Sequence, residues 1–208
     1  MCIRDRLIER GIDIYMEAGA AAGIHFPDDT YTRHGVRIVT RREALGCDIV
    51  LHLPAVTPAE AAMLRPGAVL LTLLHLAEQT AEGIAALTRR HIIAIALDLI
   101  ADADGHSPIA DLLSEVDGRA AMAVASSLLA DSSHGKGILL GGVAGVVPCE
   151  VTVIGSGIGA RAAARSAIGL GAMVRMFDND VYRLRSALRD LGQAAVVGSS
   201  LHPRVLAG

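Results

Sequence analysis

Residues 151–160 read VTVIGSGIGA, and residues 174–180 read VRMFDND. The first stretch is a short apolar run broken by glycines, and the helix-forming run ARAAARSAIGLG (160–171) follows from it. Each small residue has a separate physical use. Gly155 permits a tight turn from strand to helix, and Gly157 lets the backbone approach a diphosphate. Ala160 takes the third small position, where helix packs against strand. The phosphates then lie on the amides at the helix N-terminus, favoured by its partial positive charge. An acidic residue about 20 positions further on should end the next strand and hold the ribose hydroxyls. Asp178, at the tip of VRMFD, stands there. A carboxylate at that point repels a 2′-phosphate, so the pattern points to NAD rather than NADP. Arg183 or Arg185, one helical turn on, is placed to cover the adenosine side. The competing reading is a tight glycine turn in an α/β protein with no cofactor. The strand before the loop, the helix after it and the spacing to Asp178 weigh against that reading.

Working outward, apolar runs of strand length alternate with helix-like stretches from Leu7 onward. DIYMEAGA (13–20), VRIV (36–39), DIVLHL (48–53), AVLLTLL (68–74) and IIAIAL (92–97) read as buried strands. PAEAAMLRPG (58–67) and AEQTAEGIAALTRR (77–90) between them are rich in helix formers. Such alternation predicts parallel sheets with helices on their faces, and runs that are apolar throughout predict that both faces are covered. The polar loop ADADGHSP (101–108) breaks the pattern. SEVDGRAAMAVASSLLAD (114–131) then reads as one long helix, with Ser114 as its cap. HGKGILLGGVAGVVP (134–148) is a glycine-rich connection, after which come VTVIG, its helix, VRMFD and the helix YRLRSALRDLG (182–192). The chain is therefore read as α/β, two doubly wound parallel-sheet units with a boundary near residues 105–113. The opening MCIRDR matches no cap or strand pattern, and residues 1–6 are read as a scar without structural weight.

Composition narrows the function. The chain has 208 residues and a formal net charge of −3, so no basic surface argues for nucleic acid. Its 52% hydrophobic content is high, yet charge, Gly or Pro interrupts every apolar run well short of the roughly 18–20 residues of a membrane helix. A soluble protein without membrane insertion is expected. Cys2, Cys47 and Cys149 are widely spaced, with no CxxC and no Cys/His metal pattern, which fits a reduced, cytoplasmic setting. Asp102 and Asp104 share a loop without a third ligand, so no metal site is expected.

With these residues in hand, the chain resembles the alanine dehydrogenase family, whose relatives include the NAD(H)-binding subunit of proton-translocating transhydrogenase. The resemblance rests on EAGAAAGIHFPDDTY (17–31), RPGAVLLTLLHLAEQ (65–79), LSEVDGRAAMAVASSLL (113–129), GKGILLGGVAGVVPCEVTVIGSGIGARAAARSAIGLGA (135–172) and FDNDVYRLRSALRDLG (177–192). It implies a substrate-side α/β domain over 1–108 and a Rossmann NAD-binding domain over 109–208, truncated at its C-terminus. The catalytic aspartate is then expected beyond Gly208, and a chain of this length is expected to be inactive alone.

Carried over residue by residue, the resemblance places the catalytic histidine at His75, in LLHLA at the end of a strand. Imidazole titrates near neutrality and exchanges protons in both directions. The alternative for His75 is a buried histidine that satisfies a backbone carbonyl. Ser114 matches a cofactor-contacting serine, a role compatible with capping. Ile158 meets the cofactor through its backbone, Arg183 lies near the adenosine ribose, and Ser199, or equally Ser200, falls near another nucleotide contact. Departures are informative. The lysine that pairs with the substrate carboxylate aligns with Pro54 in VLHLPAV (50–56), two residues after His52, and the N-terminal substrate arginine would precede Leu7. The other histidines are read as surface or capping residues. The implied activity is NAD-dependent oxidation of an amino acid, with L-alanine to pyruvate and ammonium as the reference reaction. The alternatives are a transhydrogenase nucleotide subunit that hands hydride to NADP in a membrane-bound partner, or a non-catalytic NAD-binding protein. A small amino-acid or 2-oxo-acid substrate and a homo-oligomer are the expected partners.

Overall fold

The computed structural model describes residues 3–74, 80–192 and 195–199. By contacts the chain divides into two compact units, Met1–Ile100 and Ala101–Gly208.

In the first unit, strands β1 (Tyr15–Glu17) and β2 (Arg37–Val39) pair in parallel, and β3 (Ile49–Leu51), β4 (Val69–Thr72) and β5 (Ile93–Ala96) form a parallel sheet in that order. Each expected strand is present, trimmed at its ends. Helices α1 (Ile3–Glu9), α2 (Asp28–Thr32), α3 (Arg41–Leu45), α4 (Pro58–Ala61) and α5 (Ala81–Arg89) complete the unit. The opening residues thus contribute a helical turn where no structure was expected, although none of the helix is buried.

Local chemistry starts three of these helices. Thr40 and Thr57 each accept the amide of a glutamate three residues on, and Glu43 and Glu60 accept the threonine amide in return at 2.9 and 2.8 Å. The Thr80 hydroxyl caps α5 through Gly83 N at 3.0 Å. These caps leave the apolar sides of α3, α4 and α5 facing one surface of the sheet. Leu45, Ala61, Leu64, Ala86 and Leu87 pack there with Val50 and Leu70. The strand period of two sends the alternate residues the other way. Ile49, Leu51 and Ile93 on that face are 65%, 66% and 58% exposed. Among the described residues the sheet is covered on one face only, a correction to the expectation that both are covered. Residues that read as buried by composition are exposed because no described element packs on them.

At the C-terminal ends of the strands Arg41 joins three elements. Its guanidinium lies 3.3 Å from Glu17, at the end of β1, and hydrogen-bonds Glu60, at the start of α4. Burial alone would raise the Glu60 carboxyl. The Thr57 amide and hydroxyl and the Arg41 guanidinium outweigh burial and hold it at about 2, against an ordinary 4.5.

In the second unit, α6 (Pro108–Ala130) precedes a right-ordered βαβαβ run: β6 (Glu150–Ile154), α7 (Ile158–Gly169), β7 (Met173–Asp178), α8 (Val181–Leu191) and β8 (Ala195–Ser199). The sheet order is β6-β7-β8, all parallel, which is one mononucleotide-binding half of a Rossmann sheet. Helix α6 begins at Pro108 rather than Ser114. Proline suits the first helical turn because the amide it lacks would have no partner there. Ser114 is therefore inside the helix, and its reading as a cap is corrected. Met122, Ala164, Ala167, Val174, Met176, Leu184 and Ala187 form the core between helices and sheet.

Helices α6 and α7 cross in backbone contact. A Cβ at Gly118 would fall 2.1 Å from the Gly159 carbonyl oxygen, and one at Gly159 would fall 2.9 Å from the Ser114 carbonyl oxygen. Neither neighbour is a side chain that can swing aside, so the crossing requires glycine on both helices.

Two outcomes follow. Gly118→Ala should destabilise the protein by about 1–3 kcal/mol through overpacking, whereas Ala121→Gln, on an exposed part of the same helix, should stay within about 0.5 kcal/mol; thermal denaturation of both variants checks this. Because the folded-state value of Glu60 is depressed, its stabilisation is complete above about pH 4.5 and is lost as pH falls through about 2. Denaturant titrations across that window should show a shallower acid dependence for Glu60→Gln.

Candidate nucleotide-binding site

The site forms where β6 and β7 end. Gly155 adopts φ +105°, a conformation closed to residues with a Cβ, and its amide donates to the Phe177 carbonyl at 2.6 Å. Those two features turn the chain off β6 while keeping it hydrogen-bonded to β7. Gly157 is the N-cap of α7 and brings no side chain to its first amides, so the end of the helix is open to an anion.

Asp178 points back to this loop. Its Oδ2 accepts from both the amide and the hydroxyl of Ser156, each at 2.6 Å, and its Oδ1 accepts from the Asp180 amide at 2.8 Å. Ser156 and Asp178 are 2% and 9% exposed. The Ser156 hydroxyl, followed by the Asp180 amide, holds the carboxyl below its ordinary range against the opposing effect of burial. A fixed negative charge therefore sits at the tip of β7.

In front of the loop lies a cavity of about 460 Å³. Ser156, Gly157 and Ile158 line it from the loop, Arg161 from α7, Tyr182, Arg183 and Ser186 from α8, and Asp111 from α6. Arg161 is steadied by Asp190 at 2.7 Å and Ser186 at 3.3 Å. Arg183 lies 3.5 Å from Asp180, whose side chain caps α8 through the Tyr182 and Arg183 amides at 2.9 and 3.1 Å.

The structure thus gathers Gly155, Gly157, Ile158, Asp178 and Arg183 around one loop. Ser114 reaches the same place through the α6–α7 crossing, against Gly159. Ser199 pairs with Asp178 in register at the end of β8, and Ser200 lies outside the described residues. Ala160 is half-buried in the first turn of α7, whereas the closest small-residue contact is made by Gly159. Arg185 is exposed and is not among the cavity-lining residues.

Sequence reasoning missed Arg161, Ser186, Tyr182 and Asp111. Arg161 was the most accessible of these, since it occupies the first turn of the helix that follows the glycine loop. Asp111 becomes a neighbour only through the glycine crossing.

His75 lies outside the described residues. The residue before it is tied down: Leu74 N donates to Asp98 Oδ1 at 2.7 Å, just beyond β5. Near the end of β3, His52 Nε2 lies 3.6 Å from Glu60, and the Pro54 carbonyl faces the Thr72 hydroxyl at 3.5 Å. Asp102 and Asp104, expected to lack a third ligand, acquire one in His106, which the loop brings within 4.8 Å of both. All three are exposed, and amides of Asp104 and His106 already occupy Asp102 Oδ1.

The chain is similar to known proteins in sequence and in fold. Residues 4–118 match the alanine dehydrogenase/PNT N-terminal domain, and residues 121–202 match the corresponding C-terminal domain. Alanine dehydrogenase of Geobacillus stearothermophilus is 37% identical over 182 residues, covering 86% of this chain and 48% of that protein. Alanine dehydrogenase of Mycobacterium tuberculosis is 37% identical over 181 residues with the same coverage. The chain spans about half the length of these relatives. Among solved structures, an L-alanine dehydrogenase superposes with a TM-score of 0.88 at 30% identity, over 98% of this chain and 56% of that one. A transhydrogenase from Sinorhizobium meliloti shares the fold, with a TM-score of 0.81 at 23% identity over 98% of this chain and 59% of that one. Among the described residues no helix is long and apolar enough to cross a membrane. With a glycine loop, a buried strand-end carboxylate and both domain matches in the expected order, the chain belongs to the alanine dehydrogenase/PNT family.

Proposed function

We propose that the cavity in front of Gly155–Ala160 binds NAD and that the protein is an NAD-dependent amino-acid dehydrogenase, acting on L-alanine or a close analogue. One observation carries the reading: the open N-terminus of α7 and the charged Asp178 are locked together through Ser156 beside a cavity that also holds Arg161 and Arg183. The helix amides and arginines suit a diphosphate, and the carboxylate suits a ribose hydroxyl while disfavouring a 2′-phosphate. Ser114 and Ser199 supply further polar contacts.

The reaction converts L-alanine, NAD⁺ and water into pyruvate, ammonium, NADH and a proton. Bound NAD supplies the hydride acceptor. Of this chain's residues, the cavity lining orients the nucleotide, and His75 exchanges a proton with the substrate or its intermediate. Asp98 restrains the backbone at Leu74, next to that histidine.

Pro54 favours a second reading. Proline offers no cation to a substrate carboxylate, and His52 faces Glu60. A nucleotide carrier of transhydrogenase type needs no amino-acid pocket. Alanine-dependent NADH formation by the active protein separates the two, because a carrier shows hydride exchange between nucleotides without it. Free Cys47 and Cys149 agree with a reduced, cytoplasmic setting. The exposed residues Leu112, Val116, Val124 and Leu128 along α6 support assembly into a homo-oligomer.

Two measurements test the reading. By calorimetry, Asp178→Asn should weaken NAD binding about tenfold, the loss expected for a charge-assisted hydrogen bond, and should narrow the preference over NADP. Unchanged affinity and preference would remove Asp178 from the site. In steady-state assays of the active protein that contains this chain, His75→Asn should lower kcat about 10²–10⁴-fold with NAD affinity within about twofold of the parent. Equal turnover would return His75 to a structural role.

A further inference from the structure

A carboxylate at this strand end is placed to accept from a ribose, and three donors within the protein already occupy most of Asp178. An ionised carboxylate oxygen has about two acceptor positions. Both positions on Oδ2 are taken by Ser156, one by its amide and one by its hydroxyl at 2.6 Å. On Oδ1 the Asp180 amide takes one position at 2.8 Å, which leaves one. Among the described residues no other hydrogen-bond donor reaches the carboxylate. The amide contacts come with the backbone fold, whereas the Ser156 hydroxyl depends on the side chain at that position. Buried to 2% exposure, that hydroxyl has no solvent alternative as a partner.

We propose that Ser156 is a positioning residue for nucleotide recognition: its hydroxyl closes Oδ2 of Asp178 and leaves Oδ1 to meet a single hydroxyl of the adenosine ribose. The inference rests on the nucleotide reading above and deepens it, because it states how many sugar hydroxyls the site reads and which side chain sets that number. Charge-assisted hydrogen bonds are directional. A carboxylate pinned at three points cannot rotate to accept a diol with both oxygens. Recognition should then be sharp for one hydroxyl and weak for its neighbour.

The experiment measures dissociation constants by calorimetry for ADP-ribose and for its analogues lacking the 2′- or the 3′-hydroxyl of the adenosine ribose. The protein is tested as the parent, Ser156→Ala and Ser156→Cys; the last nearly keeps the volume but is a weak donor. In the parent, one deoxy analogue should bind about tenfold more weakly than ADP-ribose and the other within about twofold. In Ser156→Ala, ADP-ribose should weaken about three- to tenfold. The deoxy analogue that was penalised in the parent should weaken less, so that its penalty shrinks; Ser156→Cys should fall between. Equal weakening of all three ligands would mean that Ser156 only shapes the loop, and would overturn the proposal. So would comparable penalties for both hydroxyls in the parent. If Asp178→Asn abolishes the single-hydroxyl preference while Ser156→Ala keeps it, the nucleotide reading stands and the serine proposal fails. If the parent, folded by circular dichroism, binds none of the three, the nucleotide reading itself fails and the proposal goes with it.

Discussion

The site is organised by a buried carboxylate. Removing Asp178 from water carries a large desolvation cost unless donors replace the hydration shell. Three do so, two from Ser156 and one from the Asp180 amide. The same bonds define the loop's path, because satisfying the charge brings Ser156 to the tip of β7. With Gly155 N bonded to the Phe177 carbonyl, the loop leaves β6 in one direction only. The N-terminus of α7 is then aimed into the cavity. The arrangement that satisfies the buried charge also leaves the first turn of α7 open to the cavity.

A second constraint is steric. The α6–α7 crossing depends on Gly118 and Gly159 meeting backbone to backbone. That approach carries Ser114 against the start of α7 and Asp111 to the cavity wall. Neither residue belongs to the βαβ motif. The site is thus assembled from a local motif and a long helix that ends some twenty residues before it.

The first unit follows different rules. Its sheet has a packed face, built by capped helices, and an apolar face that these elements leave exposed. At the strand ends, Arg41, Glu17 and Glu60 tie β1, α3 and α4 together. The Glu60 carboxyl stays ionised despite its burial because Thr57 and Arg41 compensate it. His52 adjoins this network, with its Nε2 3.6 Å from Glu60.

Much of this was legible in the residues themselves. Apolar runs of strand length announced β1 to β7 but not β8, and the small residues from Gly155 to Ala160 announced the turn. The spacing to Asp178 announced the partner carboxylate. Such features depend on the covalent periodicity of strands and helices and on the φ range open to glycine, which neighbours in sequence suffice to set. Contacts between distant segments were not legible. That Ser114 lies against Gly159, and that Asp111 and Arg161 line one cavity, are outcomes of packing between helices. By itself the sequence determined that a glycine turn follows one strand and that an acid stands at the tip of the next. Only the tertiary structure decided that Ser156 turns the acid inward, because a hydrogen bond across 22 residues depends on where two strands end in space.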